Sequence, residues 1–354
     1  MKNHSEIKKS VEQCNACGGN LRYSPQHKAL FCNKCGATEK IEITRNFVKH
    51  DFNIFAEDKQ EYSEWKQKNK IFKCSACGAS IILNSLDLTS TCPYCGSNYA
   101  TEKTEVAGLC PDAIIPFKFS NEKASELYKQ GLKKKWFIPN VFKKKPPIDE
   151  VSGQYINCFS YDQFTSSKYN GKLATDHTST DSNGRRHTST SYKHISGTKN
   201  MQHSNILVET SSHIDQNVFA SLKPYNLNEL VDYKNEFILG FSVEHYDQAL
   251  DLCKKIADGI IDERIRSTIL SGYSYDRVCF LDIDTARSQQ KYAYYLVPTY
   301  KFDYTYKNKK YTTYMNGQTG KVGIGVPKSP TKITFFVLGI LAIIGAIIAL
   351  VNII

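Results

Sequence analysis

The chain has 354 residues, of which 41% are hydrophobic and 12% aromatic, so it is long and apolar enough to build more than one folded domain. This composition excludes a chain that is disordered throughout. The formal net charge of +11 counts all twelve cysteines as neutral thiols, although four thiolates around one divalent ion leave about −2 on each such site.

Eight of the twelve cysteines form C-x-x-C pairs, and the pattern repeats after 60 residues. The opening residues lack an apolar run of the length that a secretory signal needs, so we expect the cysteines to lie in a reducing compartment. Paired cysteines in such a compartment are more often metal ligands than disulfides. The eight are Cys14, Cys17, Cys32, Cys35, Cys74, Cys77, Cys92 and Cys95.

Each set of four cysteines has a spacing that suits a zinc ribbon, in which two tight turns of a hairpin present four thiolates to one ion. A glycine, which tolerates the positive φ of such a turn, follows the second cysteine of every pair: Gly18, Gly36, Gly78 and Gly96. We therefore predict two structural zinc ions, one in residues 11–45 and one in 71–105, with a polar linker at 46–70. A redox dithiol or an iron–sulfur cluster is the alternative.

Zinc ribbons often contact nucleic acid, so the charge of the two modules matters. Residues 11–45 carry five Lys or Arg against three Asp or Glu, and residues 71–105 carry two against three. With about −2 added for each zinc site, the net charges of the first and second modules are about 0 and −3. A phosphate-binding surface needs clustered positive charge, so these values favour protein docking over nucleic-acid binding.

Residues 112–330 alternate aromatic and polar side chains with the period of two that is typical of half-buried strands. Two helices are predicted to interrupt the strands. One follows Ser120, a suitable N-cap, through 121–135, and the other has an apolar stripe across about 243–270. We therefore expect an α+β cytoplasmic domain built on a mainly antiparallel sheet.

Two stretches of this domain are predicted to be turns or loops. The Ser-, Thr- and His-rich residues 176–204 are typical of a long mobile loop, and Asn316-Gly317 of a tight hairpin turn. No part of the sequence matches a nucleophile elbow, a zinc-protease helix or a pair of catalytic carboxylates. We assign no catalytic residue and predict that the protein is not an enzyme, with thiol redox chemistry or hydrolysis as the alternative.

Residues 333–354 contain no charged side chain, and a helix of this length spans about 33 Å, enough for the hydrocarbon core of a bilayer. The residues just before it are basic and include Lys321, Lys328 and Lys332. The positive-inside rule then predicts a single-pass anchor in the cell membrane with the N-terminal body in the cytoplasm. Ala342 and Ala346, small residues four apart, suit close packing of two such helices and leave a homo-oligomer open.

The stretch 133–145 combines six lysines with three aromatic residues and contains no acid. This mixture suits anionic lipid headgroups or nucleic acid, and the alternative is a solvated helix end followed by a turn. The candidate lipid contacts are its lysines and its tryptophan: Lys133, Lys134, Lys135, Trp136, Lys143, Lys144 and Lys145.

The paired ribbons CNACGG…CNKCG and CSACGA…CPYCG resemble transcription factor IIB-type zinc ribbons. The segments IIPFKFSNEKA, KKKWFIPNVFK and VSGQYINCFSYD and the terminal helix follow the order of bacterial zinc-ribbon membrane proteins encoded beside phage-shock protein A and flotillin-like SPFH proteins. This resemblance implies a membrane adaptor that recruits such cytoplasmic proteins in envelope stress or membrane-fluidity control, with the eight cysteines as ligands. The alternative, suggested by the ribbon type and the lysines, is a membrane-tethered nucleic-acid-binding regulator.

Overall fold

The computed structural model describes residues 13–52, 69–84, 89–91, 97–100, 104–105 and 109–351, apart from the single positions 145, 183, 212, 245 and 247. Within these residues the chain forms a mixed α+β structure with three sheets and five α-helices. The fold class expected from the sequence is confirmed.

A small antiparallel sheet of three strands forms the N-terminal part of the described chain. Its strands are β1 (Leu21–Ser24), β2 (Ala29–Cys32) and β3 (Thr38–Lys40). Alternate residues of β1 point to opposite sides, because Leu21 and Tyr23 are buried and Arg22 is exposed. That period of two is the pattern of a sheet with one covered face.

A large mixed sheet contains most of the other strands. We call residues 109–329 the body. The strands of this sheet that precede the body are β4 (His50–Asp51), β5 (Asn69–Lys73), β6 (Ser80–Asn84) and β9 (Thr104–Glu105), while β7 (Thr89–Thr91) and β8 (Asn98–Ala100) pair separately with each other. Those of the body are β10 (Ala113–Ile114), β11 (Glu150–Thr180), β12 (Arg186–Glu209), β13 (Val231–Asp232), β14 (Ser242–Glu244), β15 (Arg277–Tyr306) and β16 (Lys309–Asn316). The order across the sheet is β13-β10-β15-β11-β14-β6-β5-β9, with β12 beside β11 and with β4 and β16 beside β15.

The antiparallel pair β11 and β15 forms the centre of the body. β10 runs parallel to β15, and β14 runs parallel to β11. The aromatic residues of these strands fill the core: Tyr155, Phe159 and Tyr294 are fully buried, and the rings of Phe159 and Tyr294 lie 5.4 Å apart. Since each aromatic side chain buries a large apolar area, the alternating aromatic residues in the sequence are the main core of this domain.

Four helices belong to the body: α1 (Asn121–Lys133), α2 (Asn140–Lys144), α3 (Gln216–Leu222) and α4 (Leu250–Leu270). The Ser120 hydroxyl accepts a hydrogen bond from the Lys123 N–H at 3.4 Å and caps α1, as predicted. Tyr128, on the buried face of α1, stacks on Phe302 with 4.0 Å between ring centroids. The apolar stripe of α4 is confirmed, but this helix begins later than predicted because the residues from Ser242 to Glu244 pair in β14.

The strands β11, β12 and β15 continue away from the core as a three-stranded arm, which we define as residues 163–205 and 277–290. The prediction of a mobile loop at 176–204 is therefore wrong over most of its length. Most side chains near the tip of the arm are exposed, so no alternation of apolar and polar residues marks these strands. The β-branched threonines of this stretch nevertheless suit a pleated sheet.

The chain reverses near Asn316, but the predicted two-residue turn is wrong. The Asn316 side-chain oxygen accepts hydrogen bonds from the N–H groups of Gln318 and Thr319, at 2.8 and 2.9 Å. This wider turn leads to an isolated bridge between Met315 and Val322. The tight hairpin turn is at Lys307-Asn308, where φ is 50° and 59°, and it joins β15 to β16. Two successive positive φ angles are the requirement of a type I′ turn.

The last helix, α5 (Pro330–Val351), has 22 residues. Its segment Pro330–Ala349 is long and apolar enough to cross a membrane, and the most apolar part of that segment is not buried against the other described residues. Phe335, for example, is 76% exposed. The three residues after α5, which belong to the predicted span, lie outside the described residues.

Candidate metal centre

Three of the C-x-x-C pairs adopt the same turn. In each, the N–H of the first cysteine donates to the carbonyl of the residue five positions later. The N–H of the glycine, four positions after the same cysteine, donates to the carbonyl of that cysteine. These bonds are Cys14 to Gly19 and Gly18 to Cys14 (2.7 and 2.8 Å), Cys32 to Ala37 and Gly36 to Cys32 (both 2.9 Å), and Cys74 to Ala79 and Gly78 to Cys74 (2.8 and 2.7 Å). The three glycines have φ of 68°, 75° and 80°, the left-handed region in which glycine carries no steric cost.

Cys14, Cys17, Cys32 and Cys35 converge at one point, with all four sulfur atoms within 4.8 Å of one another. The Sγ atom of Cys14 lies 3.6 Å from that of Cys35, and the Sγ atom of Cys17 lies 3.5 Å from that of Cys32. Four sulfurs arranged tetrahedrally at about 2.3 Å from a zinc ion are about 3.8 Å apart, so the cluster fits this ion. These four residues are positioned to hold a metal ion.

Two of these thiols have a perturbed pKa. A hydrogen bond from the backbone N–H of Cys35 is the main cause that lowers the pKa of Cys32 to about 7. At Cys35 the N–H of Ala37 favours the thiolate, but the neighbouring sulfurs and burial outweigh it and raise the pKa to about 12. Like charges in contact disfavour each other, so a cation beside the sulfurs would favour thiolates at this site.

Gly19 packs directly against the cluster. Its N–H lies 3.4 Å from the Cys17 sulfur, to which it donates, and a Cβ at this position would lie 3.2 Å from the sulfur of Cys32. Hydrogen bonds from the backbone to ligand sulfurs orient the ligands and stabilise the thiolate form. Sequence reasoning missed Gly19, although the double glycine after Cys17 is a visible signal.

The third turn lies between β5 and β6 and carries Cys74 and Cys77; their predicted partners Cys92 and Cys95 lie outside the described residues. Burial disfavours the charged form of Cys74, but hydrogen bonds from the Ser97 hydroxyl, 3.5 Å away, and from nearby backbone amides lower its pKa to about 6. This turn is joined to the body, because β6 pairs with β14.

Tyr23 attaches the first ribbon to the body. It is 6% exposed, its ring lies 5.5 Å from that of Phe237 in an edge-to-face contact, and its N–H donates to the carbonyl of Leu239 at 3.0 Å. A backbone hydrogen bond and a buried aromatic pair fix the ribbon in one orientation. Sequence reasoning missed this role, because an aromatic residue in a short strand gives no indication of its partner.

Residues 41–52, which we call the strap, continue from the ribbon along the body. The carboxylate of Asp232 accepts hydrogen bonds from the N–H groups of Asn46 and Phe47 at 2.7 and 2.8 Å, and its own N–H donates to the carbonyl of Thr44. The strap ends in β4, which pairs with β15. The first part of the predicted linker 46–70 is thus extended and bound, and residues 53–68 lie outside the described part.

The predicted lipid contacts differ in their surroundings. Lys133, Lys134, Trp136 and Lys144 are exposed and Lys143 is partly exposed, whereas Lys145 lies outside the described residues. Lys135 is only partly exposed and donates to the carbonyl of Gly323 at 2.7 Å. Burial and the nearby Lys321 lower the pKa of Lys135.

Comparison with known proteins identifies a similar chain without a known activity. The protein is similar to the uncharacterized protein YdjG of Bacillus subtilis (strain 168), with 25% identity over 345 residues that cover 93% of each chain. The similarity therefore extends over nearly all of both proteins. No protein-family model and no solved structure matches the chain.

Proposed function

We propose that this protein is a membrane-anchored cytoplasmic adaptor whose two zinc ribbons and α+β body recruit protein partners to the membrane. The observation that carries the proposal is a four-thiol centre, held in one orientation on a body that ends in an exposed apolar helix. The resemblance described above suggests envelope stress or membrane-fluidity control as the setting and phage-shock protein A or SPFH proteins as partners.

The ligand set supports a structural role for the metal. Four cysteine ligands close the coordination sphere of zinc, whereas catalytic zinc sites keep one position for water or substrate. A bound zinc ion would cross-link two turns of a ribbon that has little core of its own. We propose zinc as the ion and the adaptor as non-enzymatic.

A second ion is supported by the repeat of the same turn. The bonds between Cys74 and Ala79 and between Gly78 and Cys74 match those of the first ribbon to within 0.2 Å. Local backbone geometry of this kind presents two thiolates to one side, so the turn is suited to half of a second four-cysteine site.

Exposed apolar side chains on the strap support protein docking. Ile43 is 55% exposed and Val48 is 72% exposed, and both lie on the segment that joins the first ribbon to the body. Because the ribbons have a net charge near zero or below, a protein surface suits them better than a phosphate backbone. We therefore propose that the ribbon and the strap together form the docking surface.

Metal analysis of the purified full-length protein tests the centre. We expect two zinc ions per chain by elemental mass spectrometry, one ion in Cys14→Ser/Cys17→Ser and one in Cys74→Ser/Cys77→Ser, and no visible absorption from an iron–sulfur cluster. A zinc-free protein, or an iron-containing coloured one, contradicts the proposed metal.

Co-purification from solubilised membranes tests recruitment. We expect partners of the wild-type protein to be lost in both double-cysteine variants and in Val48→Asp, which leaves the ligands unchanged. The control is Tyr192→Asp, because Tyr192 is 59% exposed on the distant arm. An identical partner set in all variants, with zinc retained in Val48→Asp, would contradict docking at the ribbon and the strap.

A further inference from the structure

The first turn of α5 is fastened to the loop that joins α1 to α2. The N–H of Ser329 donates to the carbonyl of Phe137 at 2.6 Å, and the ammonium group of Lys332 donates to the carbonyl of Ile138 at 2.8 Å and to that of Trp136 at 3.4 Å. Three successive carbonyl groups of the loop are thereby satisfied by the start of the helix. Such a loop enters a region of low polarity without the cost of unpaired backbone groups.

Two aromatic rings of this loop pack against the side of the helix. The ring of Phe336 lies 6.1 Å from the ring of Trp136 and 5.2 Å from that of Phe137, in edge-to-face contacts. Trp136 is nevertheless 66% exposed, so most of its surface has no neighbour among the described residues. Ile324 is 48% exposed, and its neighbour Gly323 is held beside the loop by Lys135.

The position of Phe336 along α5 sets the depth of this loop. Phe336 is four residues beyond Lys332, the last charged residue, which corresponds to about 6 Å along a helix axis. The headgroup region of a bilayer occupies about 5–8 Å on each side of the hydrocarbon core. With α5 across a bilayer, the rings of Trp136 and Phe137 would come to the level of the headgroups, where tryptophan is enriched in membrane proteins.

The charge around the loop has a single sign. Residues 127–148 contain seven lysines and no acid, and residues 304–354 contain no acid either. Lys133 at the end of α1, Lys134 just after it and Lys144 at the end of α2 are exposed on either side of the loop. Each lysine near an anionic membrane surface adds to the attraction, and aromatic residues beside a membrane-spanning helix favour a lipid surface over a nucleic acid.

We propose that Trp136, Phe137 and Ile324, flanked by Lys133, Lys134 and Lys144, form a collar around the base of α5 that rests in the headgroup region of an anionic bilayer. The collar holds the α+β body against the membrane surface rather than on a free tether. It does not depend on zinc or on the recruitment of proteins.

Tryptophan fluorescence of the full chain in vesicles tests the collar. The protein has two tryptophans, so Trp65→Phe leaves Trp136 as the only reporter. In vesicles of phosphatidylcholine and phosphatidylglycerol, we expect bromines near the headgroup end of the acyl chains to quench Trp136 more strongly than bromines near the chain ends. Acrylamide in the water is expected to quench Trp136 weakly.

A matched reporter on the arm supplies the control. In Trp65→Phe/Trp136→Phe/Tyr192→Trp, we expect strong quenching by acrylamide and none by either brominated lipid. If Trp136 is as open to acrylamide as this arm reporter and is not quenched by brominated lipids, the collar is refuted.

The lysines are tested with the same reporter. We expect shallow quenching of Trp136 to be stronger with phosphatidylglycerol than without it, and this difference to disappear in Lys133→Gln/Lys134→Gln/Lys144→Gln. If Trp136 is quenched equally with and without phosphatidylglycerol in the protein that keeps its lysines, the anionic part of the proposal is overturned. Oligonucleotide binding that is lost in the triple variant, with Trp136 still open to acrylamide, would assign the lysines to nucleic acid instead.

Discussion

Replacing Gly153 with alanine is expected to destabilise the body and loosen the docked ribbon. A Cβ at this position in β11 would lie 2.6 and 2.7 Å from two ring carbons of Phe241, whereas carbon atoms in contact are about 3.5–4.0 Å apart. The Phe241 ring has little freedom to withdraw, because it stacks on Phe117 with 4.0 Å between centroids and lies beside Tyr23 of the ribbon. The core must therefore move by about 1 Å to accept one methyl group.

The net effect of this substitution is the difference between two terms. Overpacking of a filled core costs about 1–3 kcal/mol. Replacing glycine by alanine in a strand stabilises the folded protein by about 0.5–1 kcal/mol, because alanine loses less conformational freedom on folding. We expect a loss of about 1–2 kcal/mol, which corresponds to a fall of about 2–8 °C in the melting temperature of a domain of this size. Because Phe241 contacts Tyr23, the ribbon should also become more open to proteolysis.

Thermal unfolding of the full chain in detergent, followed by circular dichroism, measures this loss. Phe241→Leu in the Gly153→Ala background should recover part of the stability, because the smaller side chain leaves room for the added methyl group. The control is Gly259→Ala in α4, where a Cβ meets nothing within 4 Å, so the same substitution should stabilise by about 0.5–1 kcal/mol. A melting temperature of Gly153→Ala at or above the wild-type value would refute the reasoning.

Three further predictions concern the metal, the core and the strap. Removal of the metal with a chelator should expose residues 13–45 to protease while the body stays folded, and added zinc should reverse this; unchanged cleavage would contradict a metal-dependent ribbon. Phe302→Ala should lower the free energy of unfolding by about 3–5 kcal/mol, measured by chemical denaturation, because Phe302 is fully buried and stacks on Tyr128. Partial burial opposes ionisation of Asp232, but hydrogen bonds from the Thr44 side chain and from strap amides lower its pKa below 3.8. The ionised carboxylate therefore stabilises the folded protein above that pH, and this stabilisation is lost on acidification. The melting temperatures of wild type and Asp232→Asn should therefore differ at neutral pH and converge below pH 3.8, and a constant gap would contradict the role of Asp232.

The sequence was sufficient where a local chemical requirement fixes the residues. A metal-binding turn needs two cysteines and a glycine at set positions, and three such turns have the same hydrogen bonds. The cap of α1 at Ser120 and the long apolar helix α5 also depend on short segments only. Each of these features could be predicted without knowledge of the rest of the chain.

The sequence was insufficient where distant segments decide the structure. The arm was missed because its strands are exposed near the tip and are held by pairing with each other, as in the register of Lys172 with His194. The tight turn at Lys307-Asn308 was missed because neither residue is glycine, while Asn316-Gly317 matches the usual signal. The contact of Tyr23 with Phe237 joins residues more than 200 positions apart, and a single sequence contains no trace of it.

Because the start of α5 is hydrogen-bonded to the loop at Trp136, we expect the helix and the body to move together. A transmembrane helix changes its tilt when the thickness of the surrounding bilayer changes. With Ser329 and Lys332 bound to the loop, we expect the body to turn with a membrane-spanning α5 instead of absorbing the change in a hinge. The part of β11 in the arm, residues 163–180, is about 60 Å long, so a rotation of roughly 10° displaces its tip by about 10 Å. With α5 across a bilayer, as proposed, a small change in bilayer thickness would move the tip of the arm by a much larger distance.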